Sequence, residues 1–69
     1  MGDPRLASRL KEARQAAGLT QAELAEKAGV SRKTVNTVEN GVFVPSTILA
    51  LSLAKALGAT VEELFWLAD

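Results

Sequence analysis

The sequence has no cysteine and no histidine among its 69 residues. Without cysteine there is no disulfide, and no thiolate that could bind a metal or attack a substrate. Without histidine the chain lacks the side chain most often used as a metal ligand and as a general base. Pairing Ser31 with Lys33 or Glu39 makes no credible catalytic set. We therefore expect no enzyme, no metal site and no cofactor.

Long apolar segments are missing as well. None approaches the roughly 20 residues that a membrane-spanning helix needs. Residues 1–14 lack the apolar region of a secretory signal peptide. We expect a protein without membrane contacts, located in the cytoplasm. The length and the 48% hydrophobic content fit a single small domain over residues 1–69.

The chain also has no net charge, since eight Lys and Arg residues balance eight Asp and Glu residues. A neutral total argues mildly against nucleic acid as a partner, because nucleic-acid-binding domains are often basic. The distribution is uneven, however. Residues 1–40 hold seven basic and five acidic side chains, whereas residues 41–69 hold one basic and three acidic ones. This polarity suits a molecule with one anion-facing side.

Glycine, proline and capping residues predict five short helices. Helix one should start at residues 3–4, where Asp precedes Pro, and apolar positions recur at helical spacing over residues 6–17 up to the stop at Gly18. We expect helix one to pack on helices four and five. No segment alternates long enough to predict a strand, and residues 65–67 are too short to assign. The other predicted ranges are about 21–28 for helix two, 32–39 for helix three, 47–57 for helix four and a short helix five that opens at Thr60.

Helix three has a polar face and an apolar face. At about 100° per residue, four polar side chains fall within an arc of about 140°. These side chains are Arg32, Lys33, Asn36 and Thr37. Arg and Lys suit guanine, Asn suits adenine, and Thr offers a hydroxyl and a methyl, so this face could contact bases in the major groove. The alternative is an ordinary solvated face.

The spacing around helix three favours the first interpretation. Gln21, Ala25, Gly29, Val35 and Val38 follow one another at steps of 4, 4, 6 and 3. Two helices that cross at about 90–120° through a tight turn require this pattern. The small alanine allows a close crossing, the glycine supplies the turn, and the valines anchor helix three. The pattern predicts a helix-turn-helix motif over residues 20–40.

The segment GLTQAELAEKAGVSRKTVNTVENG, followed by PSTILALSLAKALG and VEELF, resembles the lambda-repressor/Cro-like, or Xre-type, helix-turn-helix family. The resemblance covers residues 10–65 and is greatest to small stand-alone regulators. It implies a compact, all-α, five-helix DNA-binding domain in which helices two and three form the motif. The sequence departs from the family pattern at Val42, where many members carry Lys or Arg, and at Ile48, where relatives often have a charged residue.

The resemblance also implies roles for individual residues. Base contacts would come from Arg32, Lys33, Asn36 and Thr37. Contacts to the DNA backbone would come from Gln21, which could instead brace helix three, and from Ser31, Thr34, Asn40 and the amide of Gly41. A structural salt bridge would join Arg14 to Glu39.

A dimer interface is expected from some of the apolar residues, above all from Phe65, Trp66 and Leu67 near the last helix. The other candidates are Val42, Phe43, Val44 and Ile48. Aromatic side chains are favoured interface anchors. The alternative is that Phe65 and Trp66 close the core, which we favour for Phe65.

Together these observations predict a sequence-specific double-stranded DNA-binding transcriptional regulator of a prokaryote or phage, associated with the nucleoid when bound. We expect a repressor that binds a pseudo-palindromic operator as a homodimer. One alternative is an antitoxin-type or other protein-interaction module with a protein partner. Another is the DNA-binding domain of a longer, ligand-sensing regulator.

Overall fold

The predicted all-α, five-helix fold is confirmed by the computed structural model, which describes residues 2–68. Three of the five helices, over residues 21–28, 32–39 and 47–57, have the predicted bounds, and the short fifth helix begins after Thr60 as predicted. The elements are, in chain order, β1 (Leu6–Ser8), α1 (Leu10–Ala16), α2 (Gln21–Ala28), α3 (Arg32–Glu39), α4 (Thr47–Leu57), α5 (Val61–Leu64) and β2 (Phe65–Leu67). No helix within these residues is long and apolar enough to cross a membrane.

Two capping boxes fix the starts of α2 and α5. The amide of Glu23 donates to Thr20 Oγ1 at 3.1 Å, and the amide of Thr20 donates back to Glu23 Oε1 at 2.9 Å. Thr60 and Glu63 form the same reciprocal pair. Donation to the carboxylates, first of all from the threonine amides, lowers the pKa of both glutamates. Each box satisfies amides that have no partner within the helix.

The predicted start of helix one is wrong. Asp3 does not cap a helix, because its carboxylate instead accepts hydrogen bonds from the backbone amide and the guanidinium of Arg5 and closes a turn. The helix begins only at Leu10, whose amide donates to Ser8 Oγ at 3.1 Å. Residues 6–8 form a strand instead of the first helical turns.

The two short strands form an antiparallel ribbon that the sequence did not predict. Leu6 pairs with Leu67, Ala7 with Trp66 and Ser8 with Phe65. The ribbon joins the two ends of the described chain and positions α1, since the amide of Arg9 donates to the carbonyl of Leu64 at 2.9 Å.

The core lies between α2, α3 and α4, with contributions from the start of α1 and from α5 and β2. Its members are Leu10, Leu24, Ala25, Val35, Val38, Leu49, Ala50, Leu53, Ala54, Leu64 and Phe65. Leu10 of α1 belongs to the same core as Leu53 of α4 and Leu64 of α5, and the backbone of α1 also lies near α3. The turn between α2 and α3 contains Gly29 at φ 72°, a left-handed conformation that favours glycine.

Candidate nucleic-acid interface

The helix-turn-helix crossing holds α3 at the surface with one face buried. Val35 and Val38 are 0% and 2% exposed and pack into the core together with Ala25 of α2. Ala25 is itself only 3% exposed, so the two helices approach each other across a single methyl group. With its valines fixed in this way, α3 can present its other face only to solvent or to a ligand.

Arg32 and Lys33 begin the outward face of α3. Both side chains are exposed. Within residues 2–68 neither cation forms an ion pair with a carboxylate. Two neighbouring exposed cations at the start of a helix are available to bind an anionic or hydrogen-bonding ligand.

Asn36, one turn further along α3, is held by two neighbours. Its Nδ2 atom donates to Gln21 Oε1 at 3.4 Å, and its Oδ1 atom accepts from Asn40 Nδ2 at 3.2 Å. A side-chain amide has two N–H groups and two acceptor positions on its oxygen. Asn36 therefore keeps one donor and one acceptor free, in an orientation that the protein has already set.

The threonines of α3 are partly satisfied within the helix. Thr37 Oγ1 donates to the carbonyl of Thr34 at 3.0 Å, which leaves acceptor positions and a methyl group for a ligand. Thr34 Oγ1 lies 2.9 Å from Oγ of Ser31, whose side chain also caps the helix by accepting from the amide of Thr34. Both threonines are half-buried, whereas Ser31 is exposed.

An ion pair lies directly behind this polar face. Arg14 Nε donates to Glu39 Oε2 at 2.6 Å, and Arg14 Nη2 donates to Glu39 Oε1 at 3.2 Å. The two side chains are 11% and 1% exposed. Hydrogen bonding to the carboxylate raises the pKa of the Arg14 guanidinium, which also donates to the carbonyl of Leu19 at 2.8 Å.

The ion pair and the polar face belong to one hydrogen-bond network, which sequence reasoning did not identify. Gln21 Nε2 donates to Glu39 Oε1 at 3.1 Å, while its own oxygen accepts from Asn36. Gln21 thus braces α3, one of the two roles expected for it. The one available signal was the four-residue spacing between Asn36 and Asn40, the residue directly after α3, since such pairs are neighbours on a helix surface.

The amides at the end of α3 are occupied. Gly41 donates to the carbonyl of Val38 at 3.2 Å, and the amide of Val42 donates to the carbonyl of Thr37 at 3.0 Å. The resemblance implied that the Gly41 amide contacts a phosphate. In the structure this amide instead donates to the last turn of α3. In the next loop, the amides of Phe43 and Val44 donate to no acceptor within residues 2–68.

The residues Phe65, Trp66 and Leu67, expected at a dimer interface, all lie in β2 but differ in exposure. Phe65 is 7% exposed and belongs to the core, so it is not a surface residue. Trp66 and Leu67 are 45% and 71% exposed. The guanidinium of Arg9 lies 5.8 Å from the centre of the Trp66 ring, a cation–π distance.

The helix-turn-helix family model matches residues 10–64, from the first residue of α1 to the last residue of α5. The chain belongs to the helix-turn-helix family of DNA-binding transcriptional regulators. The family and the fold that the sequence motifs predicted are thereby confirmed.

Relatives within the family have a similar structure, and two of the three named here also have a similar length. The uncharacterized HTH-type transcriptional regulator YgzD of Bacillus subtilis (strain 168) is 42% identical over 62 residues, which cover 90% of this chain and 94% of that protein. The restriction-modification controller protein C.AhdI of Aeromonas hydrophila is 42% identical, with a TM-score of 0.77 over 80% of this chain and 83% of its own. The SinR protein/SinI protein complex contains a similar chain, 30% identical with a TM-score of 0.76, over 80% of this chain and 54% of its own.

Proposed function

We propose that this helix-turn-helix protein is a sequence-specific regulator that binds double-stranded DNA with α3 in the major groove. The observation that carries the proposal is the outward face of α3. There, the exposed cations Arg32 and Lys33, which form no ion pair within residues 2–68, stand beside Asn36, whose amide is oriented by hydrogen bonds to Gln21 and Asn40. A face that only contacts solvent gains nothing from a side chain that two others orient. A face that recognises bases does gain, because a side chain oriented before binding loses less entropy when the complex forms.

Each side chain of this face offers a different hydrogen-bonding pattern. Arg32 and Lys33 suit the O6 and N7 acceptors of guanine. The donor and acceptor that Asn36 keeps free suit N7 and N6 of adenine. Thr37 has already used its hydroxyl hydrogen, so it can accept from a base amino group or contact a thymine methyl. A good bidentate contact contributes roughly 1–3 kcal/mol of discrimination between bases.

Groups around this face would hold the DNA backbone. We assign Ser31 and Thr34 to one side of α3, and Gln21 with Asn40 to the other. The amides of Phe43 and Val44 offer donors beyond the end of α3, where the Gly41 amide that was expected to contact a phosphate is occupied by the carbonyl of Val38. Backbone contacts of this kind fix the register of the protein on the duplex and carry no sequence information themselves.

We further infer that the regulator acts as a homodimer, in which Trp66 and Leu67 contribute to the interface. Two copies related by a twofold axis would place their recognition helices about 34–36 Å apart and read a pseudo-palindrome. Trp66 is the only tryptophan, so its fluorescence reports directly on this surface. The emission should shift to shorter wavelength as the protein concentration rises. A spectrum independent of concentration, together with a monomer mass at high micromolar concentration in sedimentation, would contradict the dimer.

A domain in the major groove blocks access to the DNA beneath it, so we infer repression by occlusion and action by binding rather than by catalysis. A protein partner is the second candidate role. The observation that favours it is the similar chain in the SinR protein/SinI protein complex. Copurification of a stoichiometric second protein that competes with DNA would favour this role.

The experiment that tests the proposed function removes the two cations of α3 one at a time. Arg32→Ala and Lys33→Ala should each weaken binding to the selected operator by about fivefold or more, since each removes a contact of roughly 1–3 kcal/mol. Neither should lower the melting temperature, because both side chains are exposed. Lys55→Ala is the matched control on α4 and should bind like the parent. If both α3 variants also bind like the parent, α3 does not read the operator.

A further inference from the structure

A surface hollow of about 280 Å³ lies between α3 and the loop that follows it. The residues that line it are Lys33, Thr34, Thr37, Val42 and Phe43. Lys33 and Thr37 belong to the proposed base-reading face, so the hollow continues that face towards the loop. The base contacts proposed for Lys33 and Thr37 involve only the α3 side of the hollow and leave its loop side, Val42 and Phe43, without a role.

The loop side of the hollow is apolar and held in place. Val42 and Phe43 are 58% and 40% exposed, which is high for large apolar side chains. The amide of Val42 donates to the carbonyl of Thr37, and that of Gly41 to the carbonyl of Val38, so the backbone leading into the loop is tied to the last turn of α3. These bonds place Val42 against the last turn of α3, and Val42 and Phe43 line the hollow together with Lys33 and Thr37.

We propose that this hollow receives the C5-methyl group of a thymine and makes Val42 and Phe43 specificity-determining residues. The proposal rests on the proposed function, since it requires α3 to lie in the major groove. In that groove the thymine methyl is the one apolar group on the edges of the four base pairs. The neighbouring Lys33 cation provides the attraction to anionic DNA that an isolated apolar pocket would lack. The volume leaves room for the pyrimidine edge that carries the methyl.

The test replaces thymine by uracil, which removes only the C5-methyl group, at each thymine of the selected operator in turn. Burial of one methyl-sized group corresponds to about a fourfold change in affinity. The parent protein should therefore lose about fourfold in affinity at one thymine position in each half-site. Phe43→Ala should bind the thymine and uracil operators equally well. Val42→Ser should have the same effect and provides a second variant if Phe43→Ala lowers the melting temperature.

Val44→Ala is the matched control. Val44 is 42% exposed in the same loop, but it does not line the hollow. This variant should keep the full uracil penalty. If the operator is bound specifically and no uracil penalty occurs, or the penalty persists in both Phe43→Ala and Val42→Ser, the hollow does not read thymine, while the proposed function stands. If no operator is enriched from random DNA, both proposals fail together.

Discussion

Arg14 and Glu39 form a buried ion pair that links α1 to α3, with 2.6 Å between Arg14 Nε and Glu39 Oε2. The same carboxylate accepts from Gln21, which in turn accepts from Asn36. The ion pair is thus the base of the network that ends on the proposed DNA-binding surface.

Loss of one partner of this pair should destabilise the fold strongly. Arg14→Met or Glu39→Leu alone leaves an uncompensated buried charge, which costs about 3 kcal/mol or more. A domain of this size has a free energy of unfolding on the order of 5 kcal/mol, so urea midpoints should fall steeply. The double variant should be less destabilised than the sum of the two single variants by about 1 kcal/mol or more. Additive effects in urea denaturation would show that the two residues do not act as a pair.

Loss of the Gln21 brace should affect recognition more than stability. Gln21→Ala frees the Asn36 amide, while Glu39 keeps Arg14 as its partner, so we expect a stability loss of about 1 kcal/mol. The preference for one base pair at a single operator position should relax, as measured by binding to the four possible base pairs there. Gln15→Ala, an exposed glutamine on α1, is the matched control. An unchanged preference in Gln21→Ala would mean that Asn36 does not depend on the brace.

A larger side chain at the crossing of α2 and α3 should destabilise the fold itself. Ala25→Leu inserts a large side chain where α2 meets α3, which typically costs 1–3 kcal/mol. For a domain of this size, each 1 kcal/mol lowers the melting temperature by about 4–8 °C. Ala22→Leu makes the same substitution at an exposed position of the same helix and should leave the thermal melt nearly unchanged. Equal melting temperatures for the two variants would contradict the crossing.

The two capping boxes should make stability depend on pH in the acid range. The pKa values of Glu23 and Glu63 are lower in the folded chain than in the unfolded chain, where glutamate has a pKa of about 4.3. Their contribution is therefore fully present above that value and is lost as the pH falls through the lower, folded values. In the double variant Glu23→Gln/Glu63→Gln, melting temperatures measured from pH 6 to pH 2.5 should fall less than in the parent. If the melting temperatures of the parent and the double variant fell equally with pH, the two carboxylates would not be the source of the acid sensitivity.

Helices α2 to α5 could be predicted from the sequence because their signals are local. A capping threonine and its glutamate are three residues apart, and the cap of α3 is the residue directly before it. The start of α1 could not be predicted in this way. It depends on pairing between Leu6 and Leu67, which are about sixty residues apart, and strands of three residues are too short to show an alternating pattern.

The candidate site could be predicted from the sequence only in part, because some of its contacts join residues that are far apart in the chain. A helical wheel identifies the polar face of α3 from residues on one helix. The contact between Gln21 and Asn36 depends on the angle and distance at which two helices cross, and no local pattern contains them. The core position that the sequence favoured for Phe65 is confirmed by its 7% exposure, whereas its pairing with Ser8 in the ribbon could not be predicted.

The most direct test of the central claim is selection of random duplex DNA by the purified protein at about 150 mM salt, repeated over a series of salt concentrations. We predict enrichment of a pseudo-palindrome whose half-sites lie one helical turn apart. The logarithm of the binding constant should fall linearly with the logarithm of the salt concentration. Weak binding that enriches no sequence and disappears as salt is raised would contradict a sequence-specific regulator and would favour the protein-partner role.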